Sequence, residues 1–297
     1  MHINASSCRY STLLIRAMLK RVDLDAAAHI GPMSLTNSSF RFDRQRLERY
    51  RNYFGFNQQS LPLPFLFVAT QNEQLQLFTH SRTAIRPLGL VHTHIEFEQL
   101  VELDPMQMYQ FKLELQNERR TERGLAFEVL GTFFCNGGKV AFYRSGYLML
   151  MPQKHSGSKA KNSSLPIERS QISRFTLDVK QAREYARLSG DFNPIHLAKW
   201  SAKLFGFNSP IIHGMYMVAR LQALISDASL PDPVAFVFKR PISLPSEVKI
   251  VKEGNKTLVI NSEGKPLIEM NPRGMMTNNS EYASQLRTTT LIYNLGQ

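Results

Sequence analysis

The sequence predicts an α+β protein built from two copies of one unit, in which a helix packs across an antiparallel sheet. Three observations support this prediction: the length of 297 residues, a repeated strand-to-helix segment, and strand-length apolar runs separated by turn residues. A chain of this length can hold two domains that each bury a core. Hydrophobic residues make up 43% and charged residues 20%, which is the composition of a globular protein rather than a disordered or fibrous one.

The repeat rests on two pairs of matching segments. Residues 42–55 resemble residues 175–190, with Tyr50 and Gly55 separated from Tyr185 and Gly190 by 135 positions. Both segments run from a strand-like stretch into a helix that ends at a glycine. Residues 64–70 match residues 210–216 at an offset of 146 positions. The second copy therefore has a loop that is 11 residues longer than its counterpart.

That longer loop carries polar residues that the first copy lacks. The alignment places three positions of the second copy, Asp191, His196 and Gly214, opposite Phe56, Leu61 and Val68 of the first. We therefore expect the first copy to keep the scaffold and to have no chemistry of its own.

The two copies are joined by a stretch rich in Lys, Ser and Gly without apolar periodicity, which is typical of an exposed linker. We predict a non-catalytic N-terminal domain at residues 1–152, a linker at 153–172 and a catalytic C-terminal domain at 173–297. The basic, acid-free segment 9–20 has apolar residues that suit a packed helix, and a targeting peptide is the alternative.

Apolar spacing and turn residues predict the elements of each copy in order. In the first copy these are helices at 42–54 and 65–78, then strands at 93–97, 108–116, 125–135 and 139–151. In the second copy they are a strand at 175–179, helices at 181–188, 199–204 and 211–226, then strands at 234–240, 248–252, 258–261 and 267–270. The two sheets could pair edge to edge into one continuous sheet, which would hide two edges.

Charge and cysteine content limit the partners and the compartment. The net charge of +12 favours a polyanionic partner, which could be nucleic acid, an anionic membrane surface or a phosphate-bearing cofactor. The basic residues are scattered and form no nucleic-acid motif, so nucleic acid is a minor alternative. No apolar run reaches the length of a membrane span. Cys8 and Cys135 lie far apart in sequence, which favours a reducing compartment and a cytoplasmic location.

The polar residues of the longer loop form a pattern suited to acid–base chemistry on a thioester. Asp191 and His196 lie five residues apart across a Gly/Asn/Pro break, and Gly214 lies in the first turn of a long apolar helix. A carboxylate and an imidazole could share one water molecule, and an unpaired N–H at a helix N-terminus could stabilise developing negative charge. The sequence does not indicate which of Asp191 and His196 is the acid and which is the base.

Each of these residues also has a structural explanation. The sequence around Asp191 could be only a helix-ending turn, and Gly214 could serve close helix–sheet packing. His213 could be a partner for nearby backbone and is left out of the catalytic set. The apolar helix residues are expected to be core with one edge lining an acyl tunnel; they are Met215, Met217, Val218 and Leu221.

At residues 185–196, 210–215 and 238–245 the chain resembles the MaoC-like, R-specific enoyl-CoA hydratases, also called hydratase 2, which have the hot-dog fold. The whole chain is similar to the double-hot-dog members, in which an inert N-terminal copy precedes a catalytic one. The resemblance therefore implies two antiparallel sheets, each wrapped around a central helix and packed as a pseudo-dimer. It is weak before Arg41 and after Asn271.

The resemblance also implies an activity and a site. Members hydrate trans-2-enoyl thioesters to (3R)-3-hydroxyacyl thioesters, or run the reverse dehydration, in fatty acyl metabolism. By motif position, Asp191 and His196 would be the catalytic pair, the Gly214 N–H the oxyanion donor, and Asn193 a residue that holds the site in shape. The resemblance implies no metal or redox cofactor.

The substrate would be an acyl-CoA or an acyl-carrier-protein thioester, and Lys239 and Arg240 could contact the CoA phosphates or form a solvated strand end. We expect the chain to act as a monomeric pseudo-dimer or as a homodimer of that unit. Two alternatives remain: an acyl-thioester-binding protein without turnover, and a thioesterase on the same fold. Intact Asp191, His196 and Gly214 argue against the first.

Overall fold

Eleven strands and seven α-helices make up the fold in a computed structural model of the chain, which describes residues 1–22, 30–31, 33–57, 61–151, 168–225 and 233–272. The helices are α1 Tyr10–Leu19, α2 Arg44–Phe54, α3 Leu63–Ala69, α4 Gln71–Thr79, α5 Val179–Ser189, α6 Lys199–Lys203 and α7 Gly214–Ile225. The strands are β1 His2–Asn4, β2 Ser34–Phe40, β3 Leu90–Gln99, β4 Tyr109–Thr121, β5 Gly124–Cys135, β6 Gly138–Leu150, β7 Ser170–Leu177, β8 Val234–Phe238, β9 Ser246–Glu253, β10 Lys256–Ile260 and β11 Pro266–Pro272.

All eleven strands form one sheet in the order β1-β2-β4-β5-β6-β3-β8-β11-β10-β9-β7. The first half contributes β2-β4-β5-β6-β3, and the second half contributes β7-β9-β10-β11-β8 when it is read inward from the opposite edge. The halves join where β3 pairs antiparallel with β8, with Ile95 opposite Phe236. This confirms both the α+β repeat and the predicted edge-to-edge pairing, so the two sheets are continuous.

Helices α2 and α5 show the repeat at the level of single residues. Asp43 caps the N-terminus of α2 and Asp178 caps that of α5, in each case through the carboxylate. The helices end at Gly55 (φ 79°) and Gly190 (φ 77°), whose left-handed conformation favours glycine. Both pairs are separated by the offset of 135 that the sequence alignment predicts.

The central helix of the first half differs from its prediction. The single helix predicted at 65–78 is two helices, α3 and α4, that meet at Thr70. The Thr70 hydroxyl donates to the Leu66 and Phe67 carbonyl oxygens, each at 3.1 Å, and lies 2.7 Å from the Tyr143 hydroxyl. A side-chain hydroxyl that bonds preceding carbonyls competes with helix continuation, which explains the break.

The central helix of the second half, α7, begins at Gly214 rather than at the predicted residue 211. Ile211 forms an isolated bridge with Ser243, and the Ile212 N–H donates to the Ile242 carbonyl oxygen at 2.9 Å. These strand-like bonds hold the backbone extended and delay the start of the helix. Buried residues of α2, α3, α5 and α7 join those of the sheet in one hydrophobic core.

The described residues before Arg41, where the family resemblance is weak, pack on the first half through α1 and β1. Helix α1 within segment 9–20 buries Leu13 and Ala17, so the packed-helix interpretation is confirmed. The predicted linker lies mostly outside the described residues, and β7 begins at Ser170, within its last residues. Both cysteines are free thiols. Among the described helices, none combines the length and apolarity that crossing a membrane requires.

Candidate active site

A cavity of about 940 Å³ is lined by residues of both halves of the chain. The second half contributes four of the predicted site residues to its lining: Asp191, Asn193, His196 and Gly214. The first half contributes apolar side chains from α1, α3, α4 and β6, including Leu14, Phe67, Phe78 and Leu150. The fold therefore brings the polar loop of the second copy to an apolar space in the first.

Asp191 lies one residue beyond the left-handed Gly190 that ends α5. Its carboxylate accepts a hydrogen bond from the Asn193 N–H at 3.1 Å, and the Asn193 side-chain oxygen accepts one from the Ile195 N–H at 3.4 Å. These successive Asx turns are the turn chemistry that the sequence contains. The turn and the catalytic interpretation are thus compatible, because the turn holds the carboxylate at the cavity wall.

His196 is buried, with 7% of its surface exposed. Its Nδ1 lies 2.8 Å from the Ile211 carbonyl oxygen, which can only accept, so Nδ1 carries the proton of the neutral ring. Burial lowers the pKa of His196 below its ordinary value, while the nearby Asp191 carboxylate and the Ile211 carbonyl act in the opposite direction. The neutral ring therefore has a free lone pair on Nε2.

His213 contacts both Asp191 and His196. Its Nε2 donates to the Asp191 backbone carbonyl at 3.0 Å, and its ring stacks on that of His196 with centroids 3.6 Å apart. Burial lowers the pKa of His213 strongly, and the neighbouring His196 lowers it further. The structural interpretation of His213 made from the sequence agrees with these contacts.

Gly214 begins α7, and its N–H has no hydrogen-bond acceptor among the described residues. A Cβ at this position would lie 2.7 Å from the Phe238 ring, closer than real side chains approach. Close packing therefore requires a glycine here, as the structural alternative proposed. The same close approach leaves the N–H at the cavity wall, so packing and an oxyanion role do not compete.

The loop is also held from the first half of the chain, through a residue that the sequence did not single out. Arg46 of α2 donates through Nε to the Leu188 carbonyl at 2.8 Å, and a terminal nitrogen of its guanidinium contacts the Ser189 carbonyl. A terminal nitrogen also donates to the Val68 carbonyl at 3.0 Å. The guanidinium thus joins the C-terminus of α5, just before Asp191, to helix α3.

Lys239 and Arg240 line the cavity but also have protein partners. The Lys239 ammonium lies 3.4 Å from the Glu269 carboxylate, and Arg240 donates to the Pro266 carbonyl at 2.6 Å. Burial lowers the pKa of Lys239, and Glu269 opposes that shift. The two side chains are therefore partly buried anchors at the cavity rather than a fully solvated strand end.

The equivalent region of the first half is filled with apolar side chains. Phe56 is 7% exposed and Leu61 is 4% exposed, and Phe56 stacks on Tyr50 with ring centroids 6.1 Å apart. In the second half, Met215 lines the cavity while Met217 is wholly buried in the core. The expectation of a core helix with one edge at the tunnel agrees with this arrangement.

Among the cavity residues that the sequence analysis did not predict as site residues are Tyr10, His92 and Arg123. Tyr10 lies outside the repeated units, and His92 lies on a strand that reads as ordinary core. Arg123 lies in the β4–β5 turn, where a basic residue is expected to be solvated. The packing of α1 brings Tyr10 to the cavity, and the order of strands in the sheet brings His92 and Arg123 there.

Asp191, His196 and His213 bring donor atoms within 4.8 Å of one another, a spacing at which a divalent cation could be held. The two imidazole rings are stacked, with an angle of 27° between their planes. Since the lone pairs of a ring lie in its plane, near-parallel rings do not direct them at one ion as tetrahedral ligands do. The arrangement fits a shared water better than a metal.

Comparisons with known proteins agree with the fold and the site. Residues 161–255 match the family model described as MaoC like domain. The 3-hydroxyacyl-thioester dehydratase X of Mycobacterium tuberculosis is 28% identical over 227 residues, which is 72% of this chain and 79% of that protein. A crystal structure of HtdX from M. tuberculosis superposes with a TM-score of 0.68 at 23% identity, over 80% of this chain and 97% of that one.

A MaoC-like dehydratase from Phytophthora capsici also shares the fold, with a TM-score of 0.55 at 20% identity over 84% of this chain and 98% of that one. The fold and site thus define an α+β double-hot-dog protein with a buried imidazole and a carboxylate at the wall of one cavity. Residues of the second half match the MaoC like domain, and the chain is similar to a 3-hydroxyacyl-thioester dehydratase, in agreement with the resemblance seen in the sequence.

Proposed function

We propose that this protein is an enoyl-thioester hydratase/3-hydroxyacyl-thioester dehydratase that interconverts trans-2-enoyl and (3R)-3-hydroxyacyl thioesters in fatty acyl metabolism. The observation that carries this proposal is the neutral, buried His196 beside Asp191, at the N-terminus of α7 and at the wall of a cavity of about 940 Å³. The similarity of the chain to a protein of M. tuberculosis that is named a 3-hydroxyacyl-thioester dehydratase supports the same class of reaction.

The three groups divide the work of adding water across the double bond. Asp191 and His196 Nε2 are both hydrogen-bond acceptors, so one water can donate to each and turn its oxygen lone pair towards C3 of the substrate. His196 takes a proton from the water as the C3–O bond forms. The resulting imidazolium, stabilised by the Asp191 carboxylate, delivers a proton to C2.

Negative charge develops on the thioester oxygen while C2 awaits its proton. The Gly214 N–H, at the positive end of the α7 dipole, is the donor we assign to that oxygen. In the dehydration direction, the same groups remove the C2 proton and return a water molecule. Asn193 acts through the loop, because its own side chain and N–H fix the Asp191 turn.

The domain roles follow from the same contacts. We assign residues 1–152 to a non-catalytic domain, 153–172 to a linker and 173–297 to a catalytic domain, since the polar loop belongs to the second copy. The first domain supplies apolar lining and the Arg46 contacts. The two similar halves of one chain already form a dimer-like unit with a shared cavity. A single chain can therefore supply the whole proposed site. Two free thiols are compatible with a cytoplasmic location.

The test separates hydration from its two alternatives. Purified protein is given crotonyl-, octenoyl- and dodecenoyl-CoA and one enoyl-carrier-protein, while enone absorbance, free thiol and product configuration are measured. Hydration predicts loss of absorbance, a (3R) product and no thiol release. Thiol release without hydration would identify a thioesterase, and binding without any reaction would identify an acyl-binding protein. A chelator is expected to leave the rate unchanged.

A further inference from the structure

Helix α1 precedes the repeated units, yet one of its faces lines the cavity that holds Asp191 and His196. The cavity-facing residues are Tyr10, Leu14, Ala17, Met18 and Lys20. Their spacing of three and four residues places them on one side of a helix. From Tyr10 to Met18 this face extends about 12 Å at the helical rise, which is long enough to follow an extended chain.

The N-terminal end of this face adjoins the catalytic loop. Tyr10 lines the same cavity as Asp191 and Asn193, and the pKa of its hydroxyl is raised by burial and by the Asp191 carboxylate. The helix therefore starts beside the reacting groups and runs away from them along the cavity.

The helix is fixed to the first half at both ends. The Lys20 ammonium donates to the Phe78 and His80 carbonyls and to the Thr83 hydroxyl at 2.7–2.8 Å. Ahead of the helix, the Ser6 backbone N–H donates to the Gln76 side-chain oxygen at 2.9 Å. Leu13 and Ala17 are buried, so α1 is a fixed wall rather than a loose segment.

The wall is apolar and incompletely covered. Met18 is 58% exposed, and Leu204, which lines the cavity from the second half, is 75% exposed. Large apolar side chains left open around one cavity mark a site that an apolar ligand covers. Between Tyr10 at one end and Lys20 at the other, Leu14, Ala17 and Met18 offer no charge or hydrogen bond to a phosphate or peptide group.

We propose that helix α1 forms part of the acyl-chain site, and that Leu14 and Met18 determine which acyl chain lengths the protein accepts. This inference rests on the proposed function for the identity of the ligand as an acyl thioester. It assigns a binding role to a segment outside the two repeated units. Short acyl chains end before they reach these side chains, whereas long chains lie against them.

The test compares variants on the two faces of α1. Leu14→Trp and Met18→Trp reduce the space at the cavity, while Ile15→Trp and Leu19→Trp add the same side chain to exposed positions outside the lining. Binding of the saturated thioesters butanoyl-CoA and dodecanoyl-CoA is measured by calorimetry, so the readout does not depend on turnover. Hydration of crotonyl- and dodecenoyl-CoA is measured in parallel.

We expect Leu14→Trp to weaken dodecanoyl-CoA binding about tenfold or more, the usual consequence of overfilling a packed site, and to leave butanoyl-CoA within about twofold. Leu14→Ala should bind dodecanoyl-CoA as the wild type does. This result would show that Leu14→Trp weakens binding because the larger side chain occupies the space of the acyl chain. Equal losses for both thioesters, or equal effects of Ile15→Trp, would overturn the inference. If Leu14→Trp weakens binding of dodecanoyl-CoA but not of butanoyl-CoA, and the wild type hydrates no enoyl-CoA, the proposed function fails. The assignment of α1 to the acyl-chain site then still holds.

Discussion

The guanidinium of Arg46 donates a hydrogen bond of 2.8 Å to the carbonyl oxygen of Leu188, across 142 residues of sequence. Leu188 lies in the last turn of α5, immediately before the loop that carries Asp191. The bond therefore links the first half of the chain to the backbone that carries Asp191. Arg46 does not line the cavity, so in the proposed function it contributes by positioning that backbone and not by touching the substrate.

We expect Arg46→Ala to lower kcat for hydration about 10- to 100-fold with little change in KM, because misplaced catalytic groups cost rate more than binding. The variant removes the donor that bonds the Leu188 and Val68 carbonyls. The free energy of unfolding should therefore also fall by about 1–3 kcal/mol. Arg49→Ala, on the exposed side of α2, is the matched control. Unchanged kcat in a destabilised Arg46→Ala protein would show that the contact is only structural.

At the start of α7, Gly214→Ala should destabilise the protein by about 1–3 kcal/mol, since the added Cβ meets the Phe238 ring. The variant keeps the N–H, so any loss of rate reports displacement of the helix N-terminus. We expect Gly214→Ala combined with Phe238→Leu to recover both thermal stability and part of the rate. Recovery of stability with no recovery of rate would instead indicate that the methyl group blocks the thioester.

The buried histidines should make stability depend on pH below neutrality. Burial lowers the pKa of His92 from 6.5 to about 3, and burial also lowers those of His196 and His213. Below pH 6.5 the unfolded chain then binds more protons than the folded chain, so stability is complete above 6.5 and falls as pH decreases towards the folded values. Each group contributes up to about 1.4 kcal/mol per pH unit in that window.

Urea unfolding between pH 7.5 and 4.5, in steps of about half a unit, measures this slope. His92→Gln should give a shallower slope than the wild type, because one titrating group has been removed. Parallel slopes for the two proteins would mean that His92 is protonated alike in the folded and unfolded states.

Arg240→Gln should raise KM for crotonyl-CoA about tenfold or more, since a charge-assisted bond to phosphate is worth about 1.5–3 kcal/mol. KM for crotonyl-N-acetylcysteamine, which has no phosphate, should not change. Lys239→Gln should have a similar but smaller effect, because Lys239 already pairs with Glu269. Lys265→Gln, an exposed lysine beside Glu263, is the control, and equal effects on both thioesters would remove the phosphate assignment.

Much of the fold could be predicted because local chemistry determines it. The caps Asp43 and Asp178 and the left-handed glycines after α2 and α5 are readable from residue type and spacing. The break at Thr70 was not predicted, because it depends on a hydroxyl that meets Tyr143 from a distant strand. Propensity cannot report such a tertiary contact.

The candidate site divides in the same way. Asp191, His196 and Gly214 lie in short motifs whose residue types point to acid–base chemistry, so the sequence could name them. Arg46 and Tyr10 belong to helices whose role exists only through contacts with the other half. A single sequence contains no local signal for residues that act across the pseudo-symmetric interface.

The most direct test of the account is the rate of enoyl-thioester hydration for the wild type, Asp191→Asn and His196→Gln, with His80→Gln as a histidine control outside the cavity lining. Loss of a positioned general acid or base typically costs 10²- to 10⁴-fold, and we expect about that loss for each site variant with folding and acyl-CoA binding retained. His80→Gln should match the wild type. Turnover that survives either site substitution within about tenfold would contradict the assignment of that residue to the reaction.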